Sequence, residues 1–281
     1  MGESLGHSAA GPDANAVYAL GASAGESARL LRQADELLPL SQELLGLVGL
    51  RVGDAVVDLG CGPRGCLELL AGWVTPAGRV VGVDANPAHV AMAAEFVARR
   101  GLSHVEIMRR DARHTRLPSA SFNGAHARNL LVSVPDPAEV VGEMARLVAP
   151  GGWVACVEPD TEYCLCYPPH PAYERLCEIF TVVFSRNGAD PKIGRRVPEL
   201  LRRAGFEDIG VAARVQMYPR GNSKRAVRLD LVQSMRAQVV EMGLASQAEL
   251  DKLDGAARAH LANPRTVAIV GHQFLAWGRR A

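Results

Sequence analysis

The 281-residue sequence has no apolar run approaching 18 residues, so no segment reads as a membrane-spanning helix. Its first residues, Met1-Gly2-Glu3-Ser4-Leu5-Gly6, lack the basic and apolar regions of a secretory leader, and Gly6 stands where a myristoylation pattern needs Ser or Thr. Charge of one sign is missing too: 31 Lys and Arg face 30 Asp and Glu, leaving +1 without a charged block. That balance argues against a nucleic-acid partner held through many neutralised phosphates. Aromatics, at 5%, are too sparse for a base-stacking platform. Cys61, Cys66, Cys156, Cys164, Cys166 and Cys177 include no C-x-x-C pair and no histidine at zinc-finger spacing. Free thiols in a reducing compartment, the cytoplasm, and no metal site are therefore expected.

What remains, 48% hydrophobic and 22% charged, is ordinary globular usage in a chain long enough for one large domain. Residues 1–14, rich in Gly, Ser, Ala and Pro without period, read as a disordered tail. Residues 15–50 read as an N-terminal helical cap: Leu30, Leu31, Ala34, Leu37 and Leu38 fall at helical spacing, Pro39 breaks the pattern, and Ser41 caps a second short helix. Strands and helices then alternate. Strands are expected at Ala55–Leu59, Arg79–Asp84, Val105–Met108, within Ala125–Val134, and at Trp153–Val157. Helices are expected at Cys66–Val74, after Asn86-Pro87, and over Pro137–Val148. This alternation means βαβ units and a buried parallel sheet. Tyr163–Pro171 reads as a loop, followed by helices near 172–186 and 195–204, a sixth strand at Val211–Tyr218, helices near 223–242 and 247–261, and a closing strand at Thr266–Trp277. Ser246 and Glu249 form a capping box for the last helix.

The chemistry concentrates at the tips of the first strands. In Val56-Val57-Asp58-Leu59-Gly60-Cys61-Gly62-Pro63-Arg64-Gly65, a glycine-rich turn leaves a strand and opens a helix, where backbone can approach a ligand closely. Such a turn alone also fits a nicotinamide dinucleotide. Asp58 tips the choice, because a carboxylate there repels a diphosphate and favours a cationic ligand. Asp84, at the next tip, can accept two ribose hydroxyls in either kind of site. Asp111 and Ala112, after the third strand, offer an acceptor and a backbone N–H for an adenine. The three acids share the carboxyl edge of the sheet, where open α/β sheets bind ligands.

Residues 54–158 resemble the core of class I S-adenosylmethionine-dependent methyltransferases, in the group that includes quinone-biosynthesis and small-molecule enzymes. The matching pieces are Val-Val-Asp58-Leu-Gly60-Cys-Gly62, Val-Val-Gly-Val-Asp84, Arg-Asp111-Ala112, and Asp136-Pro137 through Glu143-Met144-Ala145-Arg146 to Pro150-Gly151-Gly152. The resemblance implies a Rossmann-like α/β fold: a seven-stranded, mostly parallel sheet with helices on both faces and helical lid insertions. It implies a cofactor-binding core over 51–160, with 161–281 completing the sheet and adding helical substrate-binding insertions. It also implies that Gly60 and Gly62 approach the methionine part, Asp84 holds the ribose, Ala85 and His89 border the adenine, and Asp111 and Ala112 bind its edge. Ala127-Arg128-Asn129 would flank the sulfonium, and Tyr18 and Gln33 would belong to a helix closing over the cofactor. Three positions depart from the family pattern: Arg64 takes the place of the third glycine, with Gly65 following; Asn123 replaces a common Asp; and Ser133 replaces a common His.

On the acceptor side, Glu158 ends strand five facing the crevice, and His170 lies in the loop at its mouth. Both are read as catalytic candidates and acceptor contacts, His170 as a general base because an unperturbed imidazole titrates near ~6.5. Tyr163 and Met235 are read as walls of the acceptor pocket. The expected function is transfer of a methyl group from S-adenosylmethionine to an O, N or C nucleophile of a small organic acceptor, leaving S-adenosylhomocysteine. Alternatives are a quinone or lipid-ring methyltransferase, an NAD(P)-dependent oxidoreductase, and a non-catalytic cofactor-binding protein. The expected partner is a small molecule, with no nucleic acid and no membrane; a homo-oligomer is left open.

Overall fold

The computed structural model describes residues 24–281; the tail read over 1–14, and Tyr18, lie outside the described residues. Helix α1 (Ala24–Leu47) leads into β1 (Ala55–Leu59), α2 (Leu67–Val74), β2 (Arg79–Asp84), α3 (Pro87–Arg99), β3 (Val105–Arg109) and β4 (Phe122–Arg128). There follow α4 (Pro137–Leu147), β5 (Val148–Asp160), β6 (Leu165–Tyr167), α5 (Pro171–Arg186), α6 (Ile193–Arg203) and β7 (Phe206–Met217). The chain closes through α7 (Val227–Ser234), α8 (Arg236–Glu241), α9 (Gln247–Ala262) and β8 (Val267–Arg280).

The sheet runs β3-β2-β1-β4-β5-β8-β6, with β7 also on β8. β1 to β5 are parallel, and β8 is antiparallel to β5, β6 and β7. The Rossmann-like reading therefore holds, with eight strands rather than seven. The added one is Leu165–Tyr167, read from sequence as loop. β8 is fourteen residues long and starts opposite no residue of β5, whose pairing begins at His272; the free edge at Val267–Ile269 is taken by β6.

Cores form on both faces. On one, Leu44, Leu45 and Val48 of α1 and its C-terminal turn pack with Leu67, Leu70 and Val74 of α2, Val56, Val80 and Trp153. On the other, Val57, Val81, Val154 and Cys156 pack with Val140, Met144 and Leu147 of α4 and with Tyr173, Leu176 and Phe180 of α5. Parallel strands buried on both faces explain why β1 and β2 read as near-continuous apolar runs. Helix ends follow their caps: Asn86 accepts from the N–H of Ala88 at 2.9 Å, Asp136 from that of Ala138 at 3.0 Å, and Ser246 from that of Glu249 at 3.2 Å.

Two helical expectations change. Pro39 lies inside α1 and does not end it. A proline in a helix interior costs about 3 kcal/mol; here buried Leu37 before it, and Leu44 and Leu45 packed in the core after it, hold the helix on both sides. Ser41, read as a cap, is a buried hydroxyl joined to Cys66 Sγ and Arg128 Nη1, each at 3.2 Å. The helix read over 223–242 is divided into a 3₁₀ turn at Ser223–Ala226 and the separate α7 and α8, meeting at Met235.

Gly124 of β4 faces Trp153 of β5 so closely that an added Cβ would sit 2.0 Å from the buried indole. Gly124→Ala is therefore expected to lower unfolding free energy by roughly 1–3 kcal/mol or more, as overpacking of a close-packed core does. Urea denaturation followed by circular dichroism measures it.

Candidate functional site

A cavity of about 320 Å³ opens at the carboxyl ends of β1, β2, β4 and β5. The sheet order reverses between β1 and β4, and such a switch point leaves a crevice because the flanking connections run to opposite faces. The lining falls into two groups: Gln33 and Ala34 with the glycine loop and the tips of β1 to β4, and α5, α7 and the start of β8.

The first group contains Gln33, Asp58, Gly60, Gly62, Asp84, Ala85, His89, Asp111, Ala112 and Arg128, ten residues read from sequence onto the cofactor side. Asp58 and His126 are direct partners in the β1–β4 register, and Asp58 Oδ1 lies 2.7 Å from His126 Nδ1 with both side chains buried. Burial alone would lower the imidazole pKa, but the neighbouring Cys66 and Asp58 groups outweigh it and raise it to about 10. His126 is thus imidazolium at neutral pH. Asp58 Oδ2 remains buried without a hydrogen-bond partner, in the cavity wall.

Asp84 accepts from the N–H of Gly62 and of Asn86, each at 2.9 Å, which fixes the glycine loop against the tip of β2. His89 Nδ1 stands 3.6 Å from the same carboxylate. Asp111 is gripped by Arg113, whose Nη2 lies at 2.7 Å and whose N–H donates at 2.9 Å. Burial pushes this carboxyl up, yet those hydrogen bonds prevail and hold it below the ordinary value. The displaced third glycine is structurally present. Gly65 has φ 49°, and a Cβ there would come 2.3 Å from the Cys61 carbonyl oxygen. Arg64 turns outward to pair with Asp35 of α1, fastening the helix that covers the crevice. Asn123 has a structural task of its own, accepting from the N–H of Ala55 at 2.8 Å.

Four residues read onto the acceptor side are not brought there. Glu158 is buried beneath the loop after β4, where its carboxylate accepts from the N–H groups of Leu130 and Leu131 at 2.9 Å and of Val132 at 3.2 Å. Three convergent donors solvate it better than the crevice would, and it lines no part of the cavity. Burial raises its pKa to about 7 against those hydrogen bonds. His170 immediately precedes α5 and stacks on His260 of α9 at 4.6 Å, outside the cavity. Tyr163, half-exposed, lies edge-on to His272 and under Arg195, behind the wall rather than in it. Met235 is core between α7 and α8.

The cavity wall at that end holds other residues, most of which sequence reasoning did not single out. Asp160, two positions past Glu158, is fully buried, lines the cavity and pairs with Arg195. Phe180 and Phe184 stack at 4.3 Å along α5, and Arg228 of α7 lies with its guanidinium carbon 3.8 Å from the Phe180 ring centroid. His272 and Gln273 of β8 complete that end. A histidine inside the buried strand β4, and an arginine between apolar residues of a helix, were the available signals.

Residues 56–152 match the family model described as a methyltransferase domain. The chain is 37% identical over 122 residues to nocamycin O-methyltransferase of Saccharothrix syringae, an overlap covering 43% of each chain. It is 32% identical over 117 residues to demethylmenaquinone methyltransferase of Bacillus cytotoxicus, covering 42% of this chain and 49% of that one. The chain thus spans about half the length of the curated relatives it matches. Among solved structures, a putative methyltransferase from Bacillus halodurans superposes with a TM-score of 0.56 at 16% identity, over 85% of this chain and 97% of that one. Over residues 56–152 the chain is thus similar to a methyltransferase domain, on the fold that the resemblance implied.

The buried pair sets a pH dependence. A histidine whose pKa rises from 6.5 to about 10 on folding contributes stability that is complete below pH 6.5 and lost as pH rises through about 10. Between those limits the loss reaches up to about 1.4 kcal/mol per pH unit. Urea titrations at pH 7 and 10 are expected to show a larger fall for the wild type than for His126→Gln, which has no such proton to lose.

Proposed function

We propose that this chain binds S-adenosylmethionine at the β1–β4 crevice and transfers its methyl group to a small organic acceptor, releasing S-adenosylhomocysteine. The observation that carries the proposal is Asp58. One carboxylate oxygen is committed to His126, and the other is buried, unpartnered and in the cavity wall. That oxygen suits the ammonium of a zwitterionic methionine end and repels a diphosphate, since like charges at close range in a poorly screened site cost several kcal/mol. Asp84 keeps acceptor capacity for ribose hydroxyls after taking the Gly62 and Asn86 N–H groups. His89, with Nε2 buried and unpartnered, and Asp111 with Ala112 suit the nucleobase. The domain match and the O-methyltransferase relative support the same reaction class.

The bound cofactor supplies an electrophilic methyl group on a sulfonium. The chain's part is to hold both reactants and exclude water. Gln33 and Ala34 of α1, docked through Arg64–Asp35 and by Arg128 to Ser41, cover the nucleoside side. Phe180, Phe184 and Leu231 give the acceptor side apolar walls. Holding nucleophile and methyl in line can supply roughly 7–11 kcal/mol of the barrier reduction. A quinone ring is a second reading of the acceptor, favoured by the demethylmenaquinone relative. The six unpaired cysteines support a reducing compartment such as the cytoplasm, and among the described residues no helix is long and apolar enough to cross a membrane.

Asp84→Asn is expected to weaken S-adenosylhomocysteine by about 1.5–3 kcal/mol, the usual worth of hydrogen bonds to a charged group. Equilibrium dialysis measures it. Incubation of the wild type with methyl-labelled cofactor and a panel of phenols, amines, carboxylic acids and quinols is expected to label at least one class. Cofactor binding with no labelled product from any acceptor would leave a binding protein.

A further inference from the structure

Building on the methyl-transfer reading, we propose that the acceptor carries a carboxylate, and that Arg228 is the residue that grips it and so determines substrate class. Arg228 is 3% exposed, lines the cavity, and projects from α7 onto the Phe180 ring. Only one of its nitrogens is used by the protein: Nη2 contacts Cys164 Sγ at 2.9 Å and the Val270 carbonyl at 3.5 Å. Nη1 and Nε are buried without a hydrogen-bond partner, and among the described residues no carboxylate pairs with this guanidinium. Three N–H donors pointing at nothing are costly to bury, because each forfeits its water without recompense. A guanidinium in that condition beside a cavity is suited to a planar carboxylate from the ligand.

The surroundings define the rest of the molecule. Phe180, Phe184 and Leu231 provide an apolar wall beside the guanidinium, suited to an aryl or alkyl body. His272 Nδ1 and Gln273 Oε1, also buried and unpartnered, offer further polar contacts at the same end. The carboxylates already present are engaged elsewhere: Asp160 with Arg195, and Asp58 with His126. Cys164 keeps the guanidinium balanced meanwhile. The hydrogen bond from Cys177 lowers its pKa, against burial and with help from Arg228. Its sulfur also lies 2.9 Å from the Val270 carbonyl, so as a thiol it retains an acceptor once another anion takes the arginine.

Phenylacetate and its neutral isostere phenylacetamide are the probes, titrated calorimetrically into the full chain with and without saturating S-adenosylhomocysteine. The wild type is expected to bind phenylacetate at least tenfold more tightly than phenylacetamide. Arg228→Met should abolish that preference while leaving S-adenosylhomocysteine affinity unchanged, and Arg228→Lys, which keeps the charge without the fork, should retain part of it. Equal affinities for acid and amide in the wild type, a preference that survives Arg228→Met, or tighter binding of inorganic phosphate than of phenylacetate would each overturn the assignment. Failure of S-adenosylhomocysteine to bind would instead remove the methyl-transfer reading, and the acid–amide comparison without it would still decide the role of Arg228.

Discussion

The contact between Asp58 and His126 is the constraint around which the site is organised. It joins β1 to β4 at the point where the sheet order reverses, in register and out of water. A buried carboxylate would ordinarily neutralise or find a partner. Here His126 partners it while occupying only one of its oxygens. The cost of burying the acid is offset by a protein cation, and the other oxygen stays available to a second one. Around the pair, Cys66 and Ser41 connect to Arg128, and Arg128 reaches the Ala34 carbonyl. The charge pair, the glycine loop and the covering helix α1 are therefore one connected assembly.

The other strand tips follow a similar logic with different partners. Asp84 is held by backbone N–H groups, Asp111 by Arg113 and Asp160 by Arg195. Glu158 performs an internal version of the same task, collecting the N–H groups of Leu130, Leu131 and Val132. That grip brings Leu130 over Gly60, so a carboxylate that faces no ligand shapes the wall of the ligand site. Five acids along one sheet edge would repel strongly if bare; of these five, local pairing leaves Asp58 Oδ2 as the buried carboxylate oxygen without a partner.

Much of the crevice at the tips of β1 to β3 was legible in the sequence because it is local. Asp58, Gly60, Gly62, Asp84 and Asp111 sit at ends of short apolar runs, and strand ends on a parallel sheet converge on one edge whatever the rest of the chain does. Gly65 could be read as a displaced third glycine for the same reason. The far end of the cavity, toward α5, α7 and β8, depends on long-range packing. Nothing local tells that Glu158 turns to the loop after β4 while Asp160 lines the cavity, or that His170 stacks on a helix ninety residues later in the chain. Arg228 lies on a helix whose extent was itself misread, since the 223–242 segment breaks at Met235. β6 was invisible because it exists only as a partner for the free edge of β8.

The central claim is that the Asp58 end of the crevice selects a cationic nucleoside over a dinucleotide diphosphate. Isothermal titration of the full chain with S-adenosylmethionine and with NAD, side by side at neutral pH, tests it most directly. The account predicts saturable binding of S-adenosylmethionine and no heat with NAD; saturable NAD binding without S-adenosylmethionine binding would contradict it.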